Sequence, residues 1–150
     1  MLFRSDAVGA IARLLNMDVN PSLMASTFVA IVGQRLVRKI CPQCKEAAVP
    51  EEALAQLAGL TGAENAGIGF YRGAGCPNCL ETGYRGRIGI FEIMAVTPAI
   101  VRMISQRSST QDLLKTARDE GMTTMMEDGL DKVKRGLTTL EEVIRVAYQP

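Results

Sequence analysis

The sequence predicts a mixed α/β fold, mostly helical, organised around a four-cysteine module. Three observations predict it. All four cysteines fall in two copies of one short pattern, Cys41-Pro42-Gln43-Cys44 and Cys76-Pro77-Asn78-Cys79. Segments 35–40 and 88–96 read as strands on either side of that pair of motifs. Elsewhere the chain is punctuated by helix starts, Asn20-Pro21, Thr97-Pro98, Ser109-Thr110 and Thr138-Thr139, in which a capping side chain precedes an apolar stripe.

A C-x-x-C pair puts two thiolates on one tight knuckle within reach of a single metal ion. Two knuckles complete the tetrahedral S₄ set of a structural zinc site. Proline inside each knuckle presets φ and so aims the sulfurs. The 31 residues from 45 to 75 that separate the motifs exceed a common ribbon spacing and imply a small insertion. Two disulfides, a redox C-x-x-C and an iron–sulfur cluster are the alternatives. Nothing in the sequence suggests export, which argues against disulfides. An electron-transfer cluster usually groups its ligands more tightly. The pattern therefore favours structural zinc on Cys41, Cys44, Cys76 and Cys79. Closed S₄ coordination leaves no position for water, so such a metal holds shape and performs no chemistry.

At 150 residues the chain can bury a core as one domain or two small ones. Its 47% hydrophobic and 22% charged content is ordinary for a globular protein. Seventeen basic and sixteen acidic residues leave +1, so no global field argues for nucleic acid or an anionic membrane. The longest purely apolar stretch, Phe28 to Val32, is far too short to span a bilayer. Met1-Leu2-Phe3-Arg4-Ser5 lacks the apolar segment and cleavage site of a signal peptide. With reduced thiols, the expected compartment is the cytoplasm. There is no histidine, which removes the commonest general base and every imidazole-based zinc hydrolase site.

Taken in order, Ser5 is expected to cap a first helix whose stripe is Val8, Ile11, Ala12, Leu14 and Leu15, with Asp6 near its positive end. Asn20-Pro21 starts a second helix, expected to run to about Val32 and to end at Gly33. Leu23, Met24, Phe28, Val29, Ile31 and Val32 make it apolar almost all round, so burial on more than one face is expected. A chain this short hardly supplies such cover, and self-association through the first forty residues follows as an expectation. Pro50 opens a helix with Leu54, Leu57, Ala58 and Leu60 inward, and 59–69 is a glycine-rich loop. Phe70-Tyr71 is a short aromatic strand, and 82–87 is a turn. In 88–96 both parities are apolar, as in a strand covered on both faces. Everything after Thr97 is helical. Val101 and Ile104 face a core, then Leu113, Leu114 and Ala117 up to Gly121. Met122, Met125, Met126, Leu130 and Val133 read as core rather than as a partner groove. After Gly136, a capping box formed by Thr138 or Thr139 with Glu141 or Glu142 precedes the last face, Leu140, Val143, Ile144 and Ala147.

Several of these residues carry a resemblance. They are Gln34-Arg35-Leu36-Val37-Arg38-Lys39-Ile40-Cys41-Pro42-Gln43-Cys44, Gly75-Cys76-Pro77-Asn78-Cys79 and Thr82-Gly83-Tyr84-Arg85-Gly86-Arg87-Ile88-Gly89-Ile90-Phe91-Glu92. The tail adds Gly121-Met122, Asp128-Gly129, Lys132-Val133 and Gly136-Leu137-Thr138-Thr139-Leu140-Glu141-Glu142-Val143. In this order they resemble the C-terminal part of the type II secretion and type IV pilus assembly ATPases, over nearly the whole chain.

That resemblance implies a fold: the C-terminal remnant of a RecA-like P-loop ATPase domain. Residues 1–40 would be its edge, 41–87 an inserted tetracysteine zinc module, and 88–150 a returning strand with a C-terminal helical subdomain. It further implies a homo-hexamer in the parent protein, acting on an inner-membrane platform protein and the cytoplasmic domain of the secretion or pilus machinery. The location implied is cytoplasmic, peripheral to the bacterial inner membrane through those partners. ATP and Mg²⁺ belong to the parent, because the family's P-loop, acidic box, Walker B segment and histidine box precede the matched region. This chain has no G-x-x-x-x-G-K-[ST], and Phe3 stands where the family has histidine, in the stretch where the match is poorest. Only the zinc ligands carry over, to Cys41, Cys44, Cys76 and Cys79, and no catalytic residue does. The chain is expected neither to bind ATP tightly nor to hydrolyse it, and its C-terminal helices are expected to stand without metal. A reading from another class is a free-standing zinc ribbon or adaptor. Arg35, Arg38, Lys39, Lys45, Arg72, Arg85 and Arg87 would face nucleic acid, with Phe70, Tyr71 and Tyr84 stacking on bases. The near-neutral total charge stands against it.

Overall fold

The computed structural model describes residues 6–54 and 69–148. The elements are helices α1 (Ala7–Asn16) and α2 (Pro21–Thr27), strands β1 (Ala30–Ile40), β2 (Lys45–Ala47), β3 (Tyr71–Gly73) and β4 (Tyr84–Ala95), and helices α3 (Pro98–Ser105), α4 (Thr110–Asp119), α5 (Met125–Lys134) and α6 (Leu140–Ala147). The architecture is mixed α/β, as expected. β1 pairs with β4 and β2 with β3. The Val96 amide donates to the Val29 carbonyl and the Cys41 amide to the Gly83 carbonyl, each at 2.9 Å. The start of β1 thus lies beside the end of β4, so the two run antiparallel.

The chain divides into two compact units, 1–34 with 91–125 and 35–90 with 126–150. In the first, α2 and α4 each pack on α3, and α1 packs on α4. Ala7, Val8, Ile11, Met24, Met94, Ile100, Ile104, Leu113 and Ala117 form its core. Capping side chains start the helices where the sequence places them. Asn20 accepts from the Ser22 amide at 2.9 Å, Thr97 from Ile100 at 3.3 Å and Ser109 from Asp112 at 3.1 Å. Each such cap contributes about 1 kcal/mol. The first helix differs: its cap is Asp6, whose carboxylate accepts from the Gly9 amide, while Ser5 lies outside the described residues. Buried Glu92 on β4 accepts from the Ala7 amide at 2.8 Å and the Met125 amide at 3.3 Å, so one carboxylate serves the first turns of α1 and α5.

Two expectations fail in this unit. The second helix stops at Thr27, and residues 30–32 belong to β1, with Gly33 inside the strand rather than ending a helix. The run Phe28-Val29-Ala30-Ile31-Val32 suits either state. Its β-branched residues and the Val96–Val29 pairing decide for strand. Only Met24 and Ala25 of α2 are buried, and Leu23 is exposed. The strand expected from 88 begins at Tyr84 and is buried on one parity only. Ile90, Glu92 and Met94 are inside, while Phe91 and Ile93 are exposed. Of the apolar residues assigned to that helix, Val29 stands just before β1 and Val32 lies on it, and both are exposed.

In the second unit, β2 and β3 pair antiparallel, Lys45 opposite Gly73 and Ala47 opposite Tyr71. Residues 51–54 are helical, with Ala53 buried. The rest of that expected helix, and the glycine-rich loop up to residue 68, lie outside the described residues. Ala53, Phe70, Val133, Leu140, Val143 and Ile144 form the core of this unit, with Met126 and Leu130 packed against it. The methionines of 122–126 are core residues, as expected: Met122 and Met125 are buried in the first unit, and Met126 packs on the core of the second. Among the described residues no helix is long and apolar enough to cross a membrane.

Candidate metal centre

The two knuckles are built differently. Cys41 follows the last residue of β1, and Pro42-Gln43 turn the chain so that Cys44 precedes β2. Cys76 instead opens a short 3₁₀ turn, Pro77–Cys79, after which Leu80 and Glu81 adopt left-handed backbone angles. That reversal points the amides of Cys76 and Gly83 at the Cys79 sulfur, at 3.2 and 3.3 Å. Gly73 and Gly83 bring two backbones into direct contact beneath the site. A Cβ on Gly73 would overlap the Gly83 backbone, so neither position tolerates a side chain.

The geometry brings all four predicted residues together. Their sulfurs lie within 4.8 Å of one another. Cys41 and Cys76 are 3.9 Å apart, Cys44 and Cys79 3.8 Å, and Cys76 and Cys79 3.7 Å. No pair is bonded. Four sulfurs at about 2.3 Å from a tetrahedral centre stand about 3.8 Å from one another, so the donor set fits a four-coordinate thiophilic ion. Cys41 and Cys79 are buried and Cys44 and Cys76 partly so, which gives such an ion a closed environment. Burial raises the Cys79 thiol, but the amides of Cys76 and Gly83 and the neighbouring thiols outweigh it and bring the value down to about 7. For Cys44, burial and its thiol neighbours outweigh the Gly75 amide and push it up to about 12. Cys79 therefore offers a thiolate before Cys44 does.

A second cluster beside the knuckles was not legible in the sequence. Glu142 has a side chain only 2% exposed, and its oxygens accept from the Arg38 guanidinium at 2.7 Å and amide at 2.9 Å. They also accept from Arg145 at 2.8 and 3.1 Å. Burial raises this carboxyl, but the hydrogen bonds from Arg38 and Arg145 outweigh it and hold it at about 2. The expected capping box is thus only half made. Thr139 caps α6 through the Glu142 amide, while the Glu142 carboxylate turns to the arginines. Arg38 lies 104 residues from Glu142, so no local pattern announces that contact.

Three of the seven basic residues invoked for nucleic acid, and two of the three rings, are engaged with one another or with acids. Arg38 lies over the Tyr84 ring at 4.0 Å and Lys45 over the Tyr71 ring at 4.1 Å, so both rings already carry a cation. Arg72 pairs with Glu46.

Comparison with known proteins finds a family model described as "Type II/IV secretion system protein" matching residues 2–145. The chain is 40% identical over 145 residues to the type II secretion system protein HxcR of Pseudomonas aeruginosa, covering 97% of this chain and 27% of that protein. It is 40% identical over 143 residues to the type IV pilus assembly ATPase PilB of Thermus thermophilus, covering 95% and 16%. With the type II secretion system ATPase E of Vibrio cholerae it shares 39% over 148 residues, covering 99% and 29%. The chain thus spans well under a third of the length of each of these relatives.

Proposed function

Because the chain belongs to the type II/IV secretion system protein family, we propose that it is the zinc-bearing C-terminal region of a hexameric traffic ATPase that powers type II protein secretion or type IV pilus assembly. The observation that carries this reading is the coincidence of a match over residues 2–145 with four sulfurs gathered at tetrahedral spacing. Cys41, Cys44, Cys76 and Cys79 hold one structural Zn²⁺, which supplies a rigid cross-link and no reactive position. Residues 1–40 and the returning strand form the edge of the RecA-like core, and the remaining helices form the C-terminal subdomain. In the assembled protein, ATP turnover works on an inner-membrane platform protein from the cytoplasmic side. Nucleotide chemistry resides in the parent: this sequence offers no glycine-rich phosphate cradle with its lysine.

The test is a replacement. This chain is substituted for the matching stretch of the Vibrio cholerae relative, and ATP hydrolysis and bound zinc are measured. The reading predicts that the chimaera keeps both, and that the chain by itself shows no saturable turnover. Turnover by the chain alone, or a folded chimaera without zinc, would contradict it.

A further inference from the structure

We infer that metal at the four cysteines and the docking of the last helix, α6, form one coupled equilibrium, so that the metal centre clamps the C-terminal helix. This rests on the metal reading above and goes beyond it, because the sequence alone predicts C-terminal helices that stand without metal.

Two sets of contacts carry the coupling. The first runs along the end of β1. Within four residues of chain, Arg38 donates its amide and guanidinium to Glu142 in the first turn of α6, and its carbonyl accepts from the Thr138 hydroxyl at 2.8 Å. Ile40 donates to the Leu137 carbonyl at 3.0 Å, and the next residue is the ligand Cys41, whose own amide is held by Gly83. Tyr84, which follows Gly83, reaches the capping Thr139 through its hydroxyl at 3.1 Å while its ring carries Arg38. The loop that delivers α6 is thus stitched to the backbone that delivers Cys41 and supports Cys79.

The second set is apolar. Leu140, Val143 and Ile144 of α6 pack in one core with Ala53 and Phe70. Those two residues lie between Cys44 and Cys76, in the segment whose ends the metal would fix. An eight-residue helix is unstable by itself in water, so α6 exists by docking on these surfaces. Without metal, only weak S–H···S contacts among the thiols remain to hold the two knuckles together. Part of the floor under α6 and the strand end beside it then loosen together.

Coupling between two equilibria is reciprocal, which gives the test two arms. Hydrogen exchange would be followed by mass spectrometry on the full chain, loaded with zinc and then stripped by a chelator under reducing conditions, with zinc content measured in each sample. The expected result is an exchange rate for the amides of α6 about tenfold or more higher without metal, restored by added zinc, while α3 and α4 are unchanged. In the second arm, Glu142→Gln and Thr138→Val leave the cysteines intact. At equilibrium with a competing chelator they should retain less zinc than the wild type, Glu142→Gln the less of the two. Equal protection of α6 with and without zinc, in a chain shown to bind zinc, would overturn the coupling alone. A chain that takes up no zinc would overturn the metal reading and the coupling with it.

Discussion

At the scale of single residues, two buried carboxylates join distant stretches of the chain. Glu92 serves two helix starts from a strand, and Glu142 joins α6 to β1, with partners 85 and 104 residues away respectively. The cysteines were legible because their chemistry is local: a C-x-x-C repeat states its geometry in four residues. A buried acid states nothing until its donors arrive from elsewhere in the chain. Glu142 makes a pH prediction. Its carboxyl is lowered to about 2 in the folded chain from the ordinary 4.5. A depressed carboxyl stabilises the fold above its unfolded value and loses that contribution as pH falls from about 4.5 toward 2. Arg38 and Arg145 are 52% and 57% exposed, so solvent screening trims the gain. A contribution on the order of 2 kcal/mol at neutral pH is expected. Acid also strips metal from thiolates, so the informative quantity is the difference between wild type and Glu142→Gln in denaturant unfolding. That difference should be about 2 kcal/mol at pH 7, should begin to fall near pH 4.5 and should be largely lost only as pH reaches about 2. A difference independent of pH would show that the glutamate acts by shape and not by charge.

At the level of elements, four helix caps were read correctly, Asp6 stands in place of Ser5 at the first helix, and strand boundaries were misread. Asn20, Thr97, Ser109 and Thr139 all cap helices, because a cap is a contact within three residues. The end of α2 was misplaced because apolar residues 28–32 satisfy a helix and a strand equally until pairing with β4 decides. One-sided burial of β4 was missed because apolar content cannot say which face is covered. A related prediction concerns α5 and α6. Gly129 sits inside α5, where alanine would normally favour the helix by about 1 kcal/mol. Here an added Cβ would overlap the side chain of Val143, which is fully buried on α6. Gly129→Ala should therefore destabilise the second unit, by roughly 1–3 kcal/mol despite the propensity gain. Combined with Val143→Ala, its cost should shrink, and a double-mutant cycle by chemical denaturation measures that interaction. Purely additive effects would mean that the helices do not meet at this glycine.

For the whole molecule, the sequence supplied the α/β class, the family and the four sulfurs. Its resemblance to the secretion and pilus ATPases is matched by the family model and by relatives of about 40% identity. The grouping of residues 126–150 with the cysteine module was not legible, since contacts such as Thr138 with Arg38 join segments 100 residues apart. That grouping changes what the metal is expected to do. On the proposed reading, a metal cross-link among Cys41, Cys44, Cys76 and Cys79 would steady the segment between the two motifs and, through β1 and Phe70, helix α6. The proposed clamp on α6 depends on the identity and coordination of that metal. The most direct test is zinc-edge X-ray absorption, with elemental analysis, on the chain purified under reducing conditions. The account predicts about one zinc per chain with four sulfur neighbours at about 2.3 Å and no nitrogen or oxygen ligand. Iron in place of zinc, a mixed sulfur–oxygen shell, or no bound metal would contradict it.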